Sequence, residues 1–199
     1  GNAVDAAITM AGVLAVVRPH MNGVGGDAFG FFYDGETGEV IGMNGSGRAG
    51  ALATPEFFDL AAQAEVPSSG PLSVSVPGAV AAWDDALSRF GTVSLSEALA
   101  PAIQYAREGF PVSTRLASDI AGASQHLNEA ARELYLPVSS PEDVGSLLKN
   151  PALAKTLETI GLNGKDGFYQ GAIADQITDF LEGQGGYLRN NDLREHETT

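Results

Sequence analysis

Residues 3–17 are small or apolar almost without interruption, so no face of the helix they predict is clearly polar and the helix needs cover on most sides. Pro19 ends it. Two short aromatic or β-branched runs follow, Phe29 to Tyr33 and Val40 to Met43, joined by the turn-rich Asp34-Gly35-Glu36-Thr37-Gly38, which together predict a β-hairpin. Period-two geometry puts Phe29, Phe31 and Tyr33 on one face of it, with Gly30 and Phe32 on the other. Thr54-Pro55 opens a short helix to about Ala64, because threonine can cap and proline fits the first turn. Leu72 to Val76 alternates apolar with serine and predicts a further strand, stopped by Pro77-Gly78. Beyond that the pattern turns helical, with helices over Ala79 to Phe90, Ser94 to Glu108, Ser113 to Leu134, Asn150 to Gly161 and Gly171 to Gln184. Ser94 and Glu97 have the spacing of a capping box.

The sheet-forming part thus covers about residues 1–78 and the helical part about 79–199, with no repeat and no linker between them. At 199 residues and 44% apolar content the chain can bury a sizeable core. A net charge of −14, with 11 lysines and arginines, excludes a basic nucleic-acid face. No run approaches the ~18 apolar residues of a membrane span. The absence of cysteine removes disulfides and thiolate metal sites but leaves the compartment open between cytoplasmic and periplasmic or secreted. Gly1-Asn2 follows no initiator methionine or leader, so a segment upstream is expected.

The richest stretch runs from Arg18 to Ala53. Gly23, Gly25 and Gly26 allow a left-handed backbone or a close approach, at an entropic cost a plain connector would avoid. Gly23-Val24-Gly25-Gly26-Asp27-Ala28 also matches the loose form of a dinucleotide-binding turn, but that turn needs a strand before it and a helix after it, and here the order is reversed. His20, His126 and His196 show neither metal-ligand spacing nor a partnered carboxylate, so no metal or cofactor is expected. Asp84-Asp85 and Glu142-Asp143 are neighbours that do not face each other on a helix, and they read as solvated surface. No serine sits in a nucleophile elbow. Arg48 stands out, sharing Gly38 to Thr54 with Glu39 as the only other charge. Its guanidinium could grip a carboxylate by two parallel bonds, or it could be a surface or internally paired arginine.

Six motifs in order give nearly the whole chain a family likeness. Gly1-Asn2-Ala3-Val4-Asp5-Ala6-Ala7, Pro19-His20 with Gly23-Val24-Gly25-Gly26 and Phe29, Val76-Pro77-Gly78, Arg89-Phe90-Gly91-Thr92, Ala100-Pro101-Ala102-Ile103 and Glu108-Gly109-Phe110-Pro111-Val112-Ser113 resemble the large subunit of the γ-glutamyltranspeptidase family. The resemblance implies an α+β fold, the large-subunit part of an N-terminal-nucleophile hydrolase αββα sandwich, in a precursor that cuts itself into two chains. It implies a small-subunit partner whose first residue is the catalytic threonine, so that no catalytic residue lies in this chain. Thr198-Thr199 would lack the free α-amine that such a threonine uses as base. The implied reaction is hydrolysis or transfer of a γ-glutamyl amide, as in a glutathione hydrolase, through an acyl-enzyme, with Arg48 holding a substrate carboxylate and heterodimers able to associate further.

The family's carboxylate-binding arginine falls at Ser46, two residues before Arg48, and Ala49 replaces the usual glutamate. Ser46-Gly47-Arg48-Ala49 resembles a divergent branch that includes oxamate amidohydrolase-like proteins, for which the substrate is a small dicarboxylic monoamide. A helical binding module without activity is the remaining alternative, and the Gly23 to Asp27 turn is expected to pack the sheet rather than touch substrate.

Overall fold

The computed structural model describes residues 1–61 and 65–199, which form two units: residues 1–23 with 91–161, and residues 24–90 with 162–199.

In the first unit, helix α1 (Ala3–Val17) starts where the Asn2 side chain accepts from the amides of Val4 and Asp5 and the Asp5 carboxylate accepts from the Asn2 amide. That carboxylate also accepts from the Thr92 hydroxyl at 2.6 Å and the Thr92 amide at 2.7 Å. The Thr92 hydroxyl bond is the main reason the Asp5 pKa lies well below the usual carboxylate range. Helix α4 (Leu95–Glu108), capped by Ser94 and Glu97, is the principal surface on which α1 packs. A Cβ at Gly12 would come within 2.7 Å of Leu99, so the two helices meet where α1 has no side chain. Strands β3 (Phe110–Pro111) and β4 (Leu147–Leu148) pair antiparallel around helices α5 (Thr114–Ala123) and α6 (Glu129–Tyr135), before helix α7 (Pro151–Asn163). Leu99, Ala102, Leu157 and Ile160 are fully buried at its core.

The long helix predicted over Ser113 to Leu134 is therefore two. Helix α5 stops at Ala123, and Asn128 starts α6 by accepting from the Ala131 amide. No residue of α6 is buried, so the break separates a packed segment from an exposed one.

In the second unit, strands β1 (Ala28–Tyr33) and β2 (Val40–Gly45) pair antiparallel, with Phe31 opposite Gly42 and Ala28 opposite Gly45. Asp34 closes the connection by accepting from the Glu36 amide and the Thr37 hydroxyl. Phe29, Phe31 and Tyr33 do share a face, and it is bare, at 69%, 85% and 72% exposed. On the other face Phe32 stacks on Phe90 of helix α3 (Ala79–Phe90), 4.6 Å between centroids. Helix α2 (Pro55–Leu60) is capped by Thr54, and its predicted end at Ala64 lies outside the described residues. Helices α8 (Asp166–Tyr169), α9 (Gly171–Gly183) and α10 (Asn190–Arg194) complete the unit, whose core includes Val76, Val80, Phe168, Leu188 and Leu193.

Leu72 to Val76 is not a strand. Ser73 donates back to Gly70 in a turn, and the ladder reduces to one bond from the Val76 amide to the Arg48 carbonyl at 2.9 Å. Helices α8 and α10 were not expected, since neither is long enough to show a period.

Candidate functional site

Three backbone segments meet around the end of β2 because two glycines let them. A Cβ on Gly78 would lie 2.1 Å from the Gly45 carbonyl oxygen, and one on Gly47 would lie 1.7 Å from that of Val76. Neither leaves room for a side chain, so residues 45–47 lie flat against 76–78. The Gly26 carbonyl accepts from the amides of Gly78 and Ala79, at 2.9 and 2.8 Å, and so closes the first turn of α3. Asp27 reaches across to accept from the Gly47 amide at 2.9 Å. The glycine turn is thus joined to α3 and to the turn after β2. Left-handed backbone occurs outside this turn, at Gly38, Gly70, Gly109, Gly145, Gly164, Gly171 and Gly185, and a Cβ at Gly25 would meet nothing within 4 Å.

Arg48 leaves this turn half-exposed. Its Nη2 donates to the Asp192 carbonyl and to Glu195 Oε2, both at 3.3 Å. Asp192 is buried and anchors the contact, with one carboxylate oxygen accepting from the Ala51 amide at 2.7 Å and the other from the Arg189 amide at 2.9 Å. A Cβ at Gly50 would press on that carboxylate, which is why the segment after Arg48 stays small.

His196 follows directly. Its ring is buried and stacks on Tyr169, and Nε2 has no hydrogen-bond partner among the described residues. Burial, then the nearby charges of Arg48 and Lys165, lower its pKa against the pull of Asp27, so the imidazole is neutral near pH 7. Tyr169 is fixed in turn, donating to the Pro77 carbonyl at 2.7 Å and accepting from the Ala81 amide at 3.1 Å. Burial raises its pKa far above the usual phenol value. Past His196, Thr199 and Asn44 exchange both backbone hydrogen bonds, at 2.6 and 3.0 Å, which lays residue 199 along the edge of β2 away from β1.

Of the residues singled out in the sequence, Arg48 is the one this arrangement builds around. Asp192 and Glu195 were missed, and Asp27 and His196 were noted without a role beside Arg48. Asp27 carried a signal in lying inside the glycine turn, whereas residues 189–197 are merely polar. His20, read as lacking a carboxylate, lies in the first unit with Nε2 2.9 Å from Asp119 Oδ2. The two are close enough for an ion pair if the ring is protonated, but they are not aligned as a hydrogen bond. Asp119 is itself held by Arg115 Nε at 2.8 and 2.9 Å. Asp84, read as solvated, accepts from the Lys165 amide at 3.0 Å. Among the described residues no three metal-ligating side chains converge, and no helix is long and apolar enough to cross a membrane.

A half-exposed guanidinium whose Nη1 and Nε donate to no described residue has the chemistry to hold a small anion. Residues 1–199 match the family model described as gamma-glutamyltranspeptidase. The chain is 34% identical to the glutathione hydrolase proenzyme of Bacillus subtilis, over 100% of its own length and 35% of that protein. It is 36% identical to the oxamate amidohydrolase proenzyme of Klebsiella pneumoniae, over 98% of its length and 38% of that protein. The gamma-glutamyltranspeptidase of Helicobacter pylori superposes with a TM-score of 0.89 at 29% identity, covering 100% of this chain and 58% of that one. The chain therefore spans little more than a third of the two proenzymes.

Proposed function

Because the chain belongs to the gamma-glutamyltranspeptidase family, we propose that residues 1–199 are the large-subunit portion of a single domain in a self-processing amide hydrolase or acyltransferase. Its fold is the helix-rich large-subunit part of an α+β N-terminal-nucleophile hydrolase. The observation that carries the reading is a family match running the whole length of the chain. The bare face of Phe29, Phe31 and Tyr33 supports it, since a sheet of two strands with one apolar face uncovered calls for a second layer.

In this reading the small subunit's terminal threonine attacks the amide carbonyl, and its own α-amine takes the hydroxyl proton and passes it to the departing amine. The resulting ester is then cleaved by water or by an acceptor amine. Arg48 contributes no bond-making step. It fixes the substrate by a carboxylate so that the amide carbonyl meets the threonine, a charge-assisted grip that a lysine cannot reproduce.

The principal substrate class is a γ-glutamyl amide such as glutathione. A small dicarboxylic monoamide such as oxamate is the second reading, favoured by Ser46-Gly47-Arg48-Ala49, where the arginine stands two residues beyond the transpeptidase position, and by the oxamate amidohydrolase relative. Either substrate presents a carboxylate to Arg48. Denaturing electrophoresis of the full-length product tests the core of the proposal: a self-processing enzyme yields two fragments, and a binding module yields one.

A further inference from the structure

Arg48 makes both of its contacts from one nitrogen. Nη2 donates to the Asp192 carbonyl and to the Glu195 carboxylate, while Nη1 and Nε donate to no described residue. A guanidinium can hold a carboxylate by two parallel bonds in two ways, end-on through Nη1 and Nη2 or side-on through Nε and Nη2. Both need a hydrogen on Nη2, and Nη2 has two hydrogens and two acceptors already. A substrate carboxylate can therefore complete its grip only when one of those acceptors leaves.

The two differ in how firmly they are held. The Asp192 carbonyl belongs to a buried residue in α10 whose side chain is bonded to the amides of Ala51 and Arg189. Glu195 lies just past the end of α10, its side chain is 67% exposed, and the bond to Arg48 is the only side-chain hydrogen bond it makes among the described residues. Glu195 is the acceptor that can swing away.

We propose that Glu195 is a specificity-determining latch, a carboxylate of the protein itself that occupies on Arg48 the place of a substrate carboxylate and must be displaced by it. The proposal rests on the reading of Arg48 as the carboxylate grip. An exposed pair of this kind is weak, so Glu195 does not shut the site; it lowers affinity for carboxylate-bearing substrates by about two- to five-fold. A substrate without a carboxylate has no need to displace it and is unaffected. The latch thus narrows the very preference that Arg48 creates.

The test is steady-state kinetics of the processed two-chain enzyme with γ-glutamyl anilide and with its α-carboxamide counterpart. Glu195→Gln and Glu195→Ala should each lower KM for the carboxylate substrate about two- to five-fold, with kcat unchanged and KM for the carboxamide unmoved. An unchanged KM, or a raised one showing that Glu195 props Arg48 in its working pose, overturns the latch. Arg48→Lys separates the two ideas. If it raises KM for the carboxylate substrate while the Glu195 variants leave KM alone, the latch fails and the Arg48 reading stands. If Arg48→Lys changes nothing, the Arg48 reading itself fails.

Discussion

The imidazole of His196 lies nearly flat on the phenol ring of Tyr169, 5.3 Å between centroids and 26° between planes. The same phenol secures the start of α3 through the Pro77 carbonyl and the Ala81 amide, so the stack connects the segment carrying Glu195 to the segment backing Gly47. Both rings are buried, and each is held in its uncharged form by that burial.

Stability should therefore depend on pH through His196. Its pKa is lower in the folded protein than the ~6.5 of an unfolded chain, so the stabilisation is complete above that value. As pH falls below it, the unfolded state takes up a proton that the folded state refuses, and stability declines. Thermal melts of the processed enzyme between pH 8 and pH 5 should show Tm falling below about pH 6.5, with a smaller fall in His196→Gln. Identical slopes for the two proteins would remove His196 from the account.

Two glycines make opposite predictions. Gly78→Ala sets a Cβ 2.1 Å from a backbone oxygen, and since neither backbone can retreat without disturbing β2 or α3 it should cost about 3 kcal/mol or more. Gly25→Ala enters open space and should stay within about 0.5 kcal/mol of the parent. Chemical denaturation of both variants measures the difference. Equal effects would mean that the glycine turn, rather than the contact between residues 45 and 78, organises the site.

The bare face of β1 predicts how the chain behaves alone. With Phe29, Phe31 and Tyr33 uncovered, residues 1–199 expressed without a partner chain should bind a hydrophobic dye and self-associate, and Phe31→Ser should reduce both. A monomeric isolated chain with a sharp cooperative melt and no dye binding would contradict the need for a second layer.

These structural relationships were unequally visible in the sequence. Helix α1 could be placed closely because its small, apolar run stops at Pro19, helix α4 because Ser94 announces its start with a carboxylate three residues on, and the hairpin because Asp34 to Gly38 breaks two β-branched or aromatic runs. The supposed strand at Leu72 to Val76 had the right alternation but found one bond instead of a ladder. Apolar spacing carried the helix reading through residues 124–128, where Asn128 in fact begins a new helix. Arg48 was conspicuous for its uncharged neighbours. Its partners were not, because Asp192, Glu195 and His196 come from the far end of the chain and only the folded backbone brings them to the turn after β2. The same holds for His20 and Asp119.

Recognition of a substrate carboxylate by Arg48 is decided by Arg48→Lys in the processed enzyme, assayed on a matched pair of substrates. A desolvated two-point contact contributes roughly 2–4 kcal/mol, so kcat/KM for γ-glutamyl anilide, or for oxamate if that is the substrate the parent turns over, should fall about 30- to 1,000-fold while self-cleavage proceeds normally. The corresponding carboxamide should lose less than about three-fold, because lysine removes a grip that this substrate never used. Equal losses on both substrates, or no loss on either with processing intact, would contradict that role for Arg48.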